Sequence, residues 1–187
     1  TFVGGVPAIL NRISFSGELG YEIYVAPQFH LKLFEEIELH GKDLSLKLYG
    51  ARALMALRLE KNWGVWTLDF RPDFTAAESG LDAFINWNKD FIGKEASLIE
   101  KKQGVKKKLV TMTIDTKDID VTNDEAILKD NKCVGYITSG GYAHYVKKSM
   151  ALGYVPEELS KHETTLDVEI NGKLYSAHVT DKPLYDA

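Results

Sequence analysis

The chain has 187 residues, 44% of them hydrophobic and 27% charged, with a formal net charge of −4. That length fits one medium domain or two small ones with a real core, and the charge balance gives no electrostatic reason to expect nucleic acid. One cysteine, Cys133, excludes an internal disulfide framework and a cysteine-built metal site, and no apolar run is long enough to span a membrane.

Ala8 to Phe15 and Tyr21 to Ala26 are strand-like, joined by the turn Ser16 to Gly20 with its two glycines. Pro27 suits the first turn of a helix, and Phe29, Leu33, Phe34 and Ile37 recur at helical spacing, predicting a helix from Pro27 to about His40. Strand, strand, helix is an α+β signature. A second helix is expected from Gly50 to about Asn62, with Ala51, Leu54, Met55 and Arg58 on one face. An arginine that extends an apolar stripe needs an acidic partner, such as Glu60 or Glu78, or a ligand.

Trp63 to Phe74, with two tryptophans, a glycine and a proline, is a packed loop. Thr75-Ala76-Ala77-Glu78 has the form of a capping box for a short helix stopped by Gly80, and Leu81 to Trp87 is expected as a strand. Gly93 to Gln103 reads as a short helix. The texture changes across Gly104 to Lys108, where Lys106-Lys107-Lys108 is expected as a solvated linker. Beyond it, Leu109–Ile114, Ala126–Lys129, Cys133–Thr138, Met150–Val155, Leu166–Ile170 and Lys173–Thr180 are strand-like. Asp130-Asn131 and Asn171-Gly172 lie between such runs as hairpin signals. Five or six strands without a convincing helix make a small β-barrel or a sandwich. The boundary therefore divides the chain into 1–104 and 105–187.

Little conventional catalytic apparatus is visible. The five histidines show no metal-ligand spacing, and there is no phosphate-binding glycine loop. Thr138-Ser139-Gly140-Gly141-Tyr142 is expected as a hairpin loop, since no nucleophile elbow surrounds it. Cys133 lies in an apolar stretch and is expected to be a small buried hydrophobe. A lone cysteine fits a reducing compartment, the cytoplasm or, in a eukaryote, the mitochondrial matrix. The chain starts at Thr1 without an initiator methionine, which leads us to expect processing or truncation.

Gly17-Glu18-Leu19-Gly20-Tyr21-Glu22 resembles the "TGELGYE" segment of the aminomethyltransferase family, the glycine-cleavage T-proteins. Further blocks follow in the family's order. Arg58-Leu59-Glu60-Lys61 is similar to "RLEK", and Thr75 to Leu81 to "TPLEAGL". Lys89 to Ala96 is similar to "KDFIGREA", and Gly135 to Tyr142 leads into Ala151 to Pro156 as in the family's C-terminal barrel. Pro183-Leu184-Tyr185-Asp186 matches a typical ending. The texture resembles most the folate modules of sarcosine and dimethylglycine dehydrogenases. Ala76 and Asp82 depart from the usual proline and glycine, and the cysteine segment of the family's iron–sulfur assembly branch is not present.

The resemblance implies an α+β fold, an incomplete ferredoxin-like portion over 1–104 followed by a small antiparallel β-barrel. It implies tetrahydrofolate-dependent one-carbon transfer, with the family's essential aspartate lying in a half that precedes Thr1. An acid at the Glu22 position grips the pterin in relatives; the alternative is a pair with Arg12 or a solvated acid. The resemblance extends the folate-facing set to Tyr24, Arg52 (offset from the family's arginine), Arg58, Tyr142 and His144. The last two could instead be an exposed loop pair. It implies no catalytic residue and no metal here. The partners it implies are folate and the missing half or a partner chain. A homodimer is expected to cover an exposed apolar edge at the opening hairpin. A non-catalytic folate-binding or interaction subunit is the competing reading.

Overall fold

The computed structural model describes residues 1–180 and 183–185. Of the Pro183–Asp186 ending, Asp186 lies outside the described residues, as does part of the expected 105–187 region. The chain forms two compact units, Thr1–Leu57 and Arg58–Ala187. The change of texture at Gly104 falls inside the second.

In the first unit, β1 (Phe2–Val3) pairs with β2 (Val6–Pro7), and β3 (Ile9–Asn11) pairs antiparallel with β4 (Glu22–Tyr24). The expected hairpin is thus present with shorter strands. Its loop uses both glycines: Gly17 has φ 84°, and a Cβ on Gly20 would come within 2.9 Å of the Ile13 carbonyl oxygen. The next helix opens as a 3-10 turn at Pro27–Phe29, where the fixed proline φ suits a helix start, and continues as α1 (His30–Gly41). Leu33 is its buried side chain, while Leu31, Phe34, Ile37 and Leu39 stay exposed. Helix α2 (Ala51–Glu60) spans the division between the units.

The second unit is built on a closed six-stranded antiparallel barrel, so of barrel and sandwich the barrel is realised. Its strands are β5 (Lys107–Ile114), β6 (Ala126–Lys129), β7 (Lys132–Ala143), β8 (Lys148–Pro156), β9 (Thr165–Ile170) and β10 (Lys173–Thr180). Around the barrel they run β10, β5, β8, β7, β6, β9. Alternate residues fill the interior, with Val110, Met112 and Ile114 from β5 and Leu166, Val168 and Ile170 from β9. Asp130 and Asn131 (φ 50° and 61°) and Asn171 and Gly172 (φ 50° and 74°) make the two tight hairpin turns. Strand β8 is buried on both faces from Met150 to Val155. The face carrying Met150 and Leu152 packs with Leu59, and Tyr154 stacks on Phe74 at 3.4 Å between ring centroids.

Several local expectations are corrected. The capping-box bonds do form, from the Thr75 and Glu78 amides to each other's side chains at 3.1 Å. The segment nevertheless closes as turns: Gly80 takes φ 72° and the Leu81 N–H bonds back to the Ala76 carbonyl. Leu81–Trp87 is not a strand. Among the described residues it has no ladder partner, and Asp82–Phe84 is a 3-10 turn. Helix α3 (Lys94–Gln103) follows Gly93 as expected. Lys107 and Lys108 are exposed, but they open β5 and are not linker. Cys133 is exposed rather than buried, because it sits just past the Asp130–Asn131 turn at an exposed hairpin end. The glycine-rich Thr138–Tyr142 run is not a loop; it lies within β7. There Gly140 is required by close approach, since a Cβ would meet the Val121 carbonyl oxygen at 2.7 Å.

Candidate functional site

Two groups of polar residues stand out, one in each unit. In the first, Glu22 and Tyr24 are two residues apart on β4 and so share a face. The Tyr24 hydroxyl donates to Glu22 Oε2, and Glu22 takes this bond rather than one from Arg12. The bond and the carboxylate charge raise the Tyr24 pKa above its usual value. Tyr24 is therefore a neutral hydrogen-bond donor at physiological pH. Glu22 is half-buried, and its Oε1 makes no hydrogen bond among the described residues. Arg52 stands exposed on the first turn of α2.

In the second unit the segment from Arg58 to Phe70 carries three buried charges: Arg58 and Glu60, each 2% exposed, and Asp69, fully buried. The acid facing Arg58 is Asp69, not Glu60 or Glu78. Arg58 Nη1 donates to Asp69 Oδ2 at 2.9 Å and lies 3.3 Å from the Trp63 carbonyl oxygen. Burial pushes the Arg58 pKa down and Asp69 counteracts it. The Val65 amide also donates to Asp69 Oδ2, while the hydroxyls of Thr138 and Ser139 donate to Oδ1 at 2.6 and 2.7 Å. Neighbouring strand residues ordinarily face opposite sides. Here the register of β7 on β8 shifts between Ile137 and Ser139, and this bulge turns both hydroxyls to one carboxylate. The Tyr154 hydroxyl donates to the Asp69 carbonyl at 2.9 Å and contacts Ser79 Oγ at 2.7 Å.

Glu60 grips the turn that follows β7. Its Oε1 accepts the backbone N–H groups of Tyr145 and Val146 at 2.6 and 3.2 Å. Between these anchors lie Tyr142, the penultimate residue of β7, and His144 in the turn that follows; their exposed rings meet edge to face at 5.1 Å. Of the residues singled out from the sequence, Glu22 thus stands with Tyr24 and Tyr142 with His144. Arg58 is engaged by Asp69. Asp69 was not singled out, and Thr138 and Ser139 were read only as part of an expected hairpin loop. The available signal was an acid inside the run Val65 to Phe70, apolar but for Thr67, close to an arginine in need of a partner.

Comparison with known proteins places both halves of the chain. Residues 1–89 match the model of the GCVT N-terminal domain, and residues 107–186 that of the glycine cleavage T-protein C-terminal barrel domain. The chain is 39% identical over 184 residues to mitochondrial dimethylglycine dehydrogenase of Homo sapiens, covering 97% of this chain and 21% of that protein. It is 34% identical to an aminomethyltransferase of Desulfitobacterium hafniense, covering 98% of this chain and 50% of that protein. The crystal structure of the glycine cleavage system aminomethyltransferase T from Bartonella henselae superposes with a TM-score of 0.83 at 25% identity, over 94% of this chain and 49% of that one. The chain therefore spans between about a fifth and a half of the length of these relatives.

Proposed function

This chain belongs to the glycine cleavage T-protein family, and from that premise we propose that it furnishes part of a tetrahydrofolate site for one-carbon transfer from an aminomethyl donor. The observation that carries the reading is Glu22: a half-buried carboxylate on a short strand, oriented by Tyr24, with one oxygen unengaged among the described residues. A pterin edge presents an amino group and a ring N–H side by side, and a carboxylate accepts such a pair. The acceptor oxygens of Glu22 thus suit the ligand.

Tetrahydrofolate, when bound, supplies the ring nitrogen that takes the one-carbon unit. Glu22 would hold and orient the pterin through its acceptor oxygens. Tyr24 keeps its proton and fixes the carboxylate rotamer. Arg52, exposed and cationic, is suited to a carboxylate of the ligand. Tyr142 and His144 offer aromatic edges and a ring nitrogen, and Arg58 serves by holding Asp69 in place. On this reading the chain's contribution is positioning and electrostatics. Because the relatives are longer, complete turnover is assigned to the whole module, and the chain by itself is expected to be inactive.

A second reading is favoured by a different observation. Phe2, Ile9, Leu10, Ile13, Phe15 and Leu19 are all exposed on the opening segment, which suits a subunit that completes its site against a partner chain or a second copy. Sedimentation at high concentration tests it: a dimer supports the reading, and a strict monomer counts against self-association.

The folate reading is tested by titrating tetrahydrofolate into the chain under anaerobic conditions, followed by calorimetry and amide NMR. Weak binding is expected, with shifts at Glu22–Tyr24 that Glu22→Gln abolishes. Binding that Glu22→Gln leaves unchanged would remove Glu22 from the site. Silence at millimolar ligand would show that this chain alone does not contact folate.

A further inference from the structure

The turn His144–Lys147 joins β7 to β8. It is closed by the Lys147 N–H bonding to the Ala143 carbonyl at 2.7 Å, with Lys147 itself at φ 60°. That closure leaves the N–H groups of Tyr145 and Val146 outside the hairpin ladder, and Glu60 Oε1 accepts both. Around this contact Leu59 packs with Ala143, Val146 and Met150, and the Tyr145 ring lies 4.2 Å from that of Tyr185. Burying a carboxyl group in such a place, 2% exposed, carries a desolvation penalty that apolar packing alone would not require. The return is conformational: two adjacent amides can meet one oxygen in a single arrangement of the turn. From the middle of β7, Asp69 fixes Thr138 and Ser139. The exposed pair Tyr142 and His144 is thereby mounted between two buried anchors drawn from one stretch of chain.

We propose that Glu60 is a positioning residue, whose carboxylate sets the His144–Lys147 turn and through it holds Tyr142 and His144 in one orientation toward the ligand. The ligand part of this statement rests on the folate reading above. The test compares Glu60→Gln and Glu60→Ala with the unaltered chain by amide hydrogen exchange and by the NMR shifts of the His144 ring protons, which report the Tyr142 ring beside them. Protection at Tyr145 and Val146 is expected to fall about tenfold in Glu60→Ala and less in Glu60→Gln, which retains an acceptor oxygen. The His144 shifts should move toward those of a free histidine, while the Met112 and Leu152 amides in the barrel keep their protection. Unchanged protection and unchanged His144 shifts in either folded variant overturn the proposal. If Glu60→Ala does not fold, Glu60→Gln decides. Tetrahydrofolate affinity measured on the same proteins should fall roughly tenfold with the loosened turn. A loosened turn with full affinity refutes positioning toward folate. Absent binding by the unaltered chain refutes the folate reading, while exchange and His144 shifts still decide whether Glu60 sets the turn.

Discussion

Asp69→Asn tests the buried anchor most directly. The amide is nearly isosteric with the carboxylate, and its oxygen can still accept from Arg58 and the Val65 N–H. Its NH2 would face the Thr138 and Ser139 hydroxyls, which can reverse and accept. The hydrogen bonds are thus largely recoverable, and what remains is the lost negative charge opposite a guanidinium that is 2% exposed. Breaking a buried pair by neutralising one partner costs about 3–5 kcal/mol, and the retained hydrogen bonds favour the lower end. With a urea m-value of about 2 kcal/mol/M, a loss of about 3 kcal/mol lowers the midpoint by about 1.5 M. All three tryptophans, Trp63, Trp66 and Trp87, lie in the second unit, so fluorescence-detected urea unfolding reports on the part perturbed. Adding Arg58→Met removes the unpaired charge and should restore at least about 1 kcal/mol relative to Asp69→Asn alone. A loss below about 1 kcal/mol for Asp69→Asn, or no recovery in the double variant, would refute the reasoning that a buried charge pair organises this junction.

Burial pushes the Tyr154 pKa up to about 12 from 10, so the folded state holds a proton that the unfolded state releases. That contribution is complete below pH 10 and is lost as pH rises toward 12, amounting to about 3 kcal/mol. Urea midpoints should fall more steeply between pH 9 and 11.5 in the unaltered protein than in Tyr154→Phe; parallel slopes would contradict the assignment. Gly135→Ala places a Cβ against the Tyr154 carbonyl oxygen within the barrel wall, and a loss at or above about 3 kcal/mol is expected by thermal unfolding. Cys133 should react with a thiol reagent without denaturant and at a rate close to that of a free thiol; protection until unfolding would show that it is buried.

Much of the fold was legible because it is encoded at short range. The helices over Ala51–Glu60 and Lys94–Gln103 follow local periodicity. The two hairpin turns follow from residues that tolerate positive φ, and the six barrel strands from alternation of apolar side chains. The Glu22 hairpin was visible for the same reason, since its acid, its tyrosine and its glycines lie within eight residues of one another. These features depend on a residue and its near neighbours, and the ordered blocks of the chain carried the family with them.

What only the tertiary structure decided depends on partners far apart in the chain. Barrel or sandwich was open from alternation alone, and was settled by the pairing of β9 with β6 and of β10 with β5. Leu81–Trp87 has strand-like composition but, among the described residues, no strand pairs with it. The two glycines after Ser139 looked like a turn; the first, Gly140, is required by the backbone at Val121, nineteen residues earlier. Arg58 announced its need for an acid, yet the choice of Asp69 required a bulge that turns Thr138 and Ser139 toward it across 69 and 70 residues of sequence. Burial creates that choice. A charge removed from water must be answered wherever the fold brings an answering group, and local sequence does not carry that distance.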